Sequence, residues 1–267
     1  MTMPAPRVAP LRADCVADSA GGLTFDVTAN GACDVAHLVL RRSDGHDEVS
    51  LPLTPATDGR LRAALPSTVA LPEGRWDAYA CVAGDEPRRL VPGTTDLRSL
   101  AARAPSGSRG HVAVRIPYAT RQGNLTVRSW LRAPHAEARE LRAGSAGLTV
   151  RGRVYGTGLA PEAYAELRRR SLPGPVRRTE VTADQAEFGL AVSYAVLEPG
   201  VWDLWLRPGG EAGPRVRIAR LLDDVADKKP VFTYPRTRVQ TPDGPVEAGP
   251  YYTRDNDLSV SVTREGS

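Results

Sequence analysis

The chain repeats itself. Gly22-Leu23-Thr24-Phe25 returns as Gly147-Leu148-Thr149-Val150, 125 residues later, and Leu40-Arg41-Arg42 returns as Leu167-Arg168-Arg169 at an offset of 127. Leu71-Pro-Glu-Gly74-Arg-Trp76-Asp77 returns as Leu197-Glu-Pro-Gly200-Val-Trp202-Asp203 at 126. Residues 117–128 match residues 250–261 at 133, with six of twelve positions identical. Echoes in one order, with an offset near 126 that rises to 133 at the last, describe a duplicated unit whose second copy carries a few extra loop residues. Two copies of this length make a pair of domains rather than a solenoid. The repeat predicts one domain over residues 10–133 and another over 134–267, divided near Ala133 and Pro134.

Within each copy the apolar residues alternate. In 201–206, Trp202, Leu204 and Leu206 share one face, while Asp203 and Trp205 share the other. Leu258, Val260 and Val262 form another such set, and Leu125, Val127 and Leu131 repeat it in the first copy. Turn pairs separate the runs: Asp44-Gly45, Asp58-Gly59, Gly123-Asn124, Pro208-Gly209 and Asp243-Gly244. Short strands recurring about every ten residues predict antiparallel β-sandwiches of immunoglobulin or fibronectin type. One short helix is expected in each copy, at 96–104 and at 221–228, with strand resuming at 112–117 and 231–238. A further helical turn is expected at 161–165.

Composition excludes several classes. No stretch approaches the ~20 continuous apolar residues of a membrane span. Met1 to Pro10 carries three prolines and no apolar run, so no secretory signal is expected and the expected compartment is the cytoplasm. The net charge is +4, but of 35 basic residues only Lys228 and Lys229 are lysines. That arginine excess, with abundant Ala, Gly and Pro, matches the coding bias of a high-GC genome such as an actinobacterial one. The arginines are interleaved with acids rather than gathered into a stripe with stacking aromatics, so nucleic acid is not an expected partner. Cys15, Cys33 and Cys81 have neither disulfide-framework nor metal-pair spacing and read as small apolar residues within strands.

No constellation in the sequence carries catalysis, and no cofactor or metal is expected. His37, His46, His111 and His135 lie in no ligand motif, and no nucleophile elbow, P-loop or dinucleotide fingerprint is present. Asp255-Asn256-Asp257 has metal–nucleotide spacing, but it stands in a β context and its counterpart, Gln122-Gly123-Asn124, lacks the acids.

The Leu-x-x-Gly-x-Trp-Asp motif has a structural reading: Gly74 and Gly200 open a turn into a strand, and Trp76 and Trp202 enter the core two residues later, each followed by Asp77 or Asp203. The corner of immunoglobulin and fibronectin sandwiches uses a Tyr in a related way. Three residues beyond each Trp, Tyr79 and Trp205 take the opposite parity, as does Trp130 relative to Leu125 and Val127. These three aromatics are the candidate binding residues, suited to stacking on a sugar ring or to burial in a protein interface.

At these two motifs, Leu-x-x-Gly-x-Trp-Asp and Pro-Tyr-x-Thr-x-x-x-x-Leu-x-Val, the chain resembles the repeated β-sandwich modules of actinobacterial cell-wall glycopolymer enzymes. These are glycosyltransferases of teichoic-acid type and CDP-glycerol glycerophosphotransferases. The catalytic domain of those enzymes has no counterpart here. The resemblance implies a non-catalytic accessory module that binds a partner glycosyltransferase or glycerophosphotransferase, a surface polymer, or itself as a homo-oligomer. A transferase with a site between the two units is the alternative reading.

Overall fold

The computed structural model describes residues 10–28, 36–82, 86–101, 110–171, 174–242 and 244–264. Among them the chain is almost entirely β and divides into two compact units, residues 1–104 with 113–131 and residues 105–112 with 132–267.

The first unit begins with β1 (Arg12–Ala17), β2 (Leu23–Thr28), β3 (Ala36–Arg42), β4 (Glu48–Pro52), β5 (Thr54–Pro55) and β6 (Leu61–Leu65). It continues through β7 (Gly74–Val82), β8 (Arg88–Arg89), β9 (Val91–Asp96), α1 (Arg98–Ala101), β10 (Val112–Ala119) and β11 (Leu125–Arg132). One sheet runs β5-β6-β2-β1-β9 and the other β10-β11-β7-β3-β4, with β8 also on β7. Period-2 alternation places Cys15, Phe25, Val27, Ala63 and Leu65 of the first sheet in the core. Leu38, Leu40, Trp76, Ala78, Leu125 and Val127 of the second are buried as well. Burial, followed by the neighbouring Asp14 and Asp26, pushes the Cys15 thiol up to about 12, which makes it an inert core residue. Cys33 lies outside the described residues.

The second unit holds β12 (His135–Ala143), β13 (Gly147–Tyr155), β14 (Tyr164–Arg169), β15 (Val176–Asp184), β16 (Glu187–Ser193) and β17 (Gly200–Arg207). After them come β18 (Val216–Ala219), β19 (Thr237–Thr241), β20 (Gly244–Tyr252) and β21 (Leu258–Arg264). Its sheet order β14-β15-β16-β13-β12-β18-β17 returns to β14 through a further pairing. Two strands make this closure. The first half of β15 pairs with β14 and its second half with β16. β18 pairs with β17 through Val216 and Arg217, then runs parallel to β12 through Ile218 and Ala219. Strands that change sheets in this way remove the open edges of a sandwich. The core gathers Val150, Phe188, Leu190, Trp202, Leu204, Ile218 and Val260.

The repeat is visible in the pairing. In the first unit Arg89 of β8 pairs with Tyr79, and β9 then runs parallel to β1. β8 and β9 together thus play the part of β18. Val127 lies opposite Trp76 and Thr126 opposite Asp77, just as Val260 lies opposite Trp202 and Ser259 opposite Asp203.

The helix expectations need correction. In the first unit only Arg98–Ala101 is helical among the described residues. In the second, 221–228 is irregular chain, and strand resumes at Thr237 rather than at 231. The reason is tertiary: the Lys228 N–H, which a helix would direct to the Asp224 carbonyl, donates instead to Asn256 Oδ1 at 3.1 Å, and the buried Lys228 ammonium holds Asp223 and the Val225 carbonyl. Glu137, on β12, accepts the N–H groups of Leu221 and Leu222 at 2.8 and 3.0 Å. Of residues 161–165, the first two form a turn and Tyr164 and Ala165 already belong to β14.

Candidate functional site

The signature motif builds the same corner twice. The Trp76 indole N–H donates to the Pro72 carbonyl at 3.0 Å, and Trp202 donates to Glu198 at 2.9 Å. A buried indole needs such a partner. The glycine two residues before each Trp lies under an arginine. Arg42 donates to the Glu73 carbonyl at 3.1 Å and Arg169 to the Pro199 carbonyl at 2.5 Å. A Cβ on Gly74 or Gly200 would meet the Nε of these arginines at 3.1 or 2.7 Å. Trp76 and Trp202 are core residues, 1% and 0% exposed.

On the outer face, Asp77 and Asp203 each anchor a hydroxyl and an arginine. Thr126 Oγ1 donates to Asp77 at 2.9 Å and Ser259 Oγ donates to Asp203 at 2.8 Å. Arg89 reaches Asp77 at 2.6 Å, and Arg217 reaches Asp203 at 3.3 Å. The same two arginines lie over the candidate aromatics, Arg89 5.0 Å from the Tyr79 ring centroid and Arg217 4.8 Å from that of Trp205. Each ring carries a second guanidinium, Arg41 at 5.1 Å over Tyr79 and Arg215 at 5.7 Å over Trp205. The repeated unit is therefore an acid, an arginine and an aromatic held together across strands, with cation–π contact between the last two.

Tyr79 and Trp205 are half-buried on this face. Their ring surfaces are engaged by guanidinium groups, so what the face presents is arginine donors more than a bare ring. The expectation for Trp130 is corrected. It does take the opposite parity from Leu125 and Val127, yet it is fully buried, with Arg128 4.9 Å from its ring centroid. Six consecutive residues of β11, Leu125 to Trp130, are buried on both faces of the strand. Alternation assigns a side chain to a face but does not say whether that face is covered.

In the second unit the ion pairs form a ladder. Arg170 and Arg217 both reach Asp203, and Arg217 and Arg132 both reach Asp257. Burial by itself would raise the Asp203 carboxyl. The hydrogen bonds from Arg170 and Ser259 and the charge of Arg217 outweigh it and hold the group below the usual carboxylate range. Asp257 of the Asp255-Asn256-Asp257 run is thus committed to two arginines.

A second polar group, not legible in the sequence, lies inside the second unit. Lys228 is fully buried, with its ammonium 2.5 Å from Asp223 and also bonded to the Val225 carbonyl. Burial lowers its pKa, against the raising effect of Asp223 and Glu137. Asp223 also binds Arg220 at 3.0 Å, and Glu137 takes His135 Nε2 at 2.7 Å. Asn256 accepts from the Lys228 backbone N–H at 3.1 Å and donates to the Ala226 carbonyl at 3.2 Å. These charges are spent on fixing the backbone of 220–228. The one available signal was that Asn256 aligns with Gly123: both sit at positive φ, 62° and 76°.

No protein-family model matches the sequence, and no curated protein matches it. Among solved structures the chain is similar to a fragment of Staphylococcus aureus TarS, at 12% identity and a TM-score of 0.32, over 71% of this chain and 57% of that one. A pullulanase complexed with maltotriose from Anoxybacillus sp. LM18-11 is similar at 10% identity and a TM-score of 0.27, over 73% of this chain and 24% of that one. A tetra-tandem repeat from the extending region of a large adhesion protein is similar at 13% identity and a TM-score of 0.23, over 96% and 66%. The chain thus spans little more than half of the TarS fragment. Likenesses at these TM-scores carry no argument about this chain. No helix among the described residues is long and apolar enough to cross a membrane.

Proposed function

We propose that this chain is a non-catalytic tandem β-sandwich that binds through the outer sheet faces around Tyr79 and Trp205. In this reading it serves the synthesis of an anionic cell-surface glycopolymer, by holding the polymer or an enzyme that makes it. One observation supports the reading above others. The same acid–arginine–aromatic arrangement stands at the same place in both copies, on the outward face, although packing the core does not require it. Guanidinium groups restrained over an aromatic ring, where N–H donors remain unfilled, are preorganised to meet phosphate or carboxylate oxygens.

The test is binding of the purified chain to phosphate-bearing and carboxylate-bearing surface polymers, beside Tyr79→Ala and Trp205→Ala, with circular dichroism as the fold control. Binding that either substitution weakens, and that falls with added salt, supports the reading. No binding to any such polymer overturns it.

A further inference from the structure

We infer that the two copies have divided their roles: the oxyanion is met in the second unit, by Arg215 beside Trp205, while the arginines over Tyr79 in the first unit are each paired with an acid. This rests on the polymer-binding reading above and assigns its contact.

In the first unit both cations over Tyr79 are spoken for. Arg89 donates to the carbonyls of Ala78 and Leu125, to Asp77 and to Thr126. Arg41 is paired with Glu48 at 2.7 Å. Arg89, with its donors filled, gains little by turning to a ligand, because each new bond costs an old one; Arg41 keeps free donors among the described residues, but the Glu48 carboxylate offsets its charge and repels an incoming oxyanion. In the second unit Arg217 occupies the place of Arg89 and ion-pairs with Asp203 and Asp257, while its buried Nη1 has no hydrogen-bond partner among the described residues. Arg215 is different. It is exposed, lies 5.7 Å from the Trp205 centroid, and makes no ion pair or hydrogen bond among the described residues. The aromatic contact restrains the side chain without consuming its N–H donors. A planar donor fork restrained on a ring beside a fixed Arg217 suits a phosphate or carboxylate oxygen carried on a flexible chain.

The experiment measures binding of polyphosphate, polygalacturonate, poly-glutamate and neutral dextran to wild type, Arg215→Gln and Arg41→Gln. Arg215 is exposed and unpaired, so its replacement leaves the fold intact, as circular dichroism checks. The expected result is that Arg215→Gln weakens polyphosphate or polygalacturonate by about tenfold, the loss of one charge-assisted contact, while Arg41→Gln leaves it unchanged. Which of those two polymers binds more tightly separates phosphate from carboxylate as the source of the oxyanion. Wild-type binding that is insensitive to Arg215→Gln, or equally sensitive to Arg41→Gln, overturns the division of roles and leaves the proposed function standing. Equal binding of dextran overturns the oxyanion contact itself, and preference for poly-glutamate overturns the glycopolymer as its carrier. Absence of wild-type binding to all four overturns both readings.

Discussion

Ser259 donates its hydroxyl to Asp203 at 2.8 Å, across the β17–β21 pair. Thr126 does the same to Asp77 in the first copy, so this contact has survived a Thr/Ser difference between the copies. Asp203 joins the hydroxyl to two arginines, and its carboxyl is held below the usual range. A group whose folded pKa is depressed contributes stability that is present above its unfolded pKa, about 3.9, and lost as pH falls through the folded value. Asp203→Asn is expected to destabilise the chain at neutral pH by about 3 kcal/mol. It should also flatten the loss of stability below about pH 4. Urea unfolding at neutral pH and at pH 3 checks both; an unchanged acid slope would contradict the assignment.

The two corner glycines are not equivalent. Gly200 has a φ of 147°, whereas the φ of Gly74 is not positive. A Cβ at Gly200 would also sit closer to its arginine than one at Gly74, 2.7 against 3.1 Å. Gly200→Ala is therefore expected to cost about 2 kcal/mol or more, and Gly74→Ala clearly less, because only the flexible Arg42 side chain has to give. Melting temperatures of the two variants would settle the order.

Asn256 combines a left-handed backbone with two side-chain hydrogen bonds in a fully buried site. Asn256→Gly keeps the backbone and loses the bonds, at a cost of about 1–3 kcal/mol. Asn256→Ala loses the bonds and adds about 1 kcal/mol of backbone strain. Equal stability of the two variants would show that the side-chain bonds, not the conformation, set the requirement.

Lys228 and Lys229 are adjacent and opposite in environment. Lys228 is fully buried on Asp223 and the Val225 carbonyl, while Lys229 is exposed beside Tyr251. An amine-reactive reagent under native conditions should modify Lys229 and spare Lys228, and denaturation should expose both. Peptide mapping by mass spectrometry reads this directly. Rapid native modification of Lys228 would mean that the 220–228 segment opens readily.

Much of the architecture was legible because it is written locally and twice. The alternation in 201–206 places Trp202, Leu204 and Leu206 inward, and the echo at 74–80 places Trp76 with them. Period 2 is a property of the extended backbone and needs no knowledge of the partner strand. The helix expected at 221–228 failed for the converse reason. Its residues have local helical spacing, but Asn256, twenty-eight positions after Lys228, takes the Lys228 N–H that a helix would direct to the Asp224 carbonyl.

By itself, then, the sequence determined the duplication, the strand-rich character and most of the inward-facing set of each copy, since repeats and alternation are short-range features of the chain; Leu131, expected inward with Leu125 and Val127, is exposed. Only the tertiary structure decided which outward positions are open. Trp130 and Trp205 have the same outward parity, yet one is fully buried and the other half-exposed. It also decided which arginines are committed. Arg89 and Arg215 both lie over an outward aromatic, but only the first has its donors filled, by Asp77, Thr126 and two carbonyls. Coverage and pairing depend on groups brought together from distant parts of the chain, and no local pattern encodes that meeting.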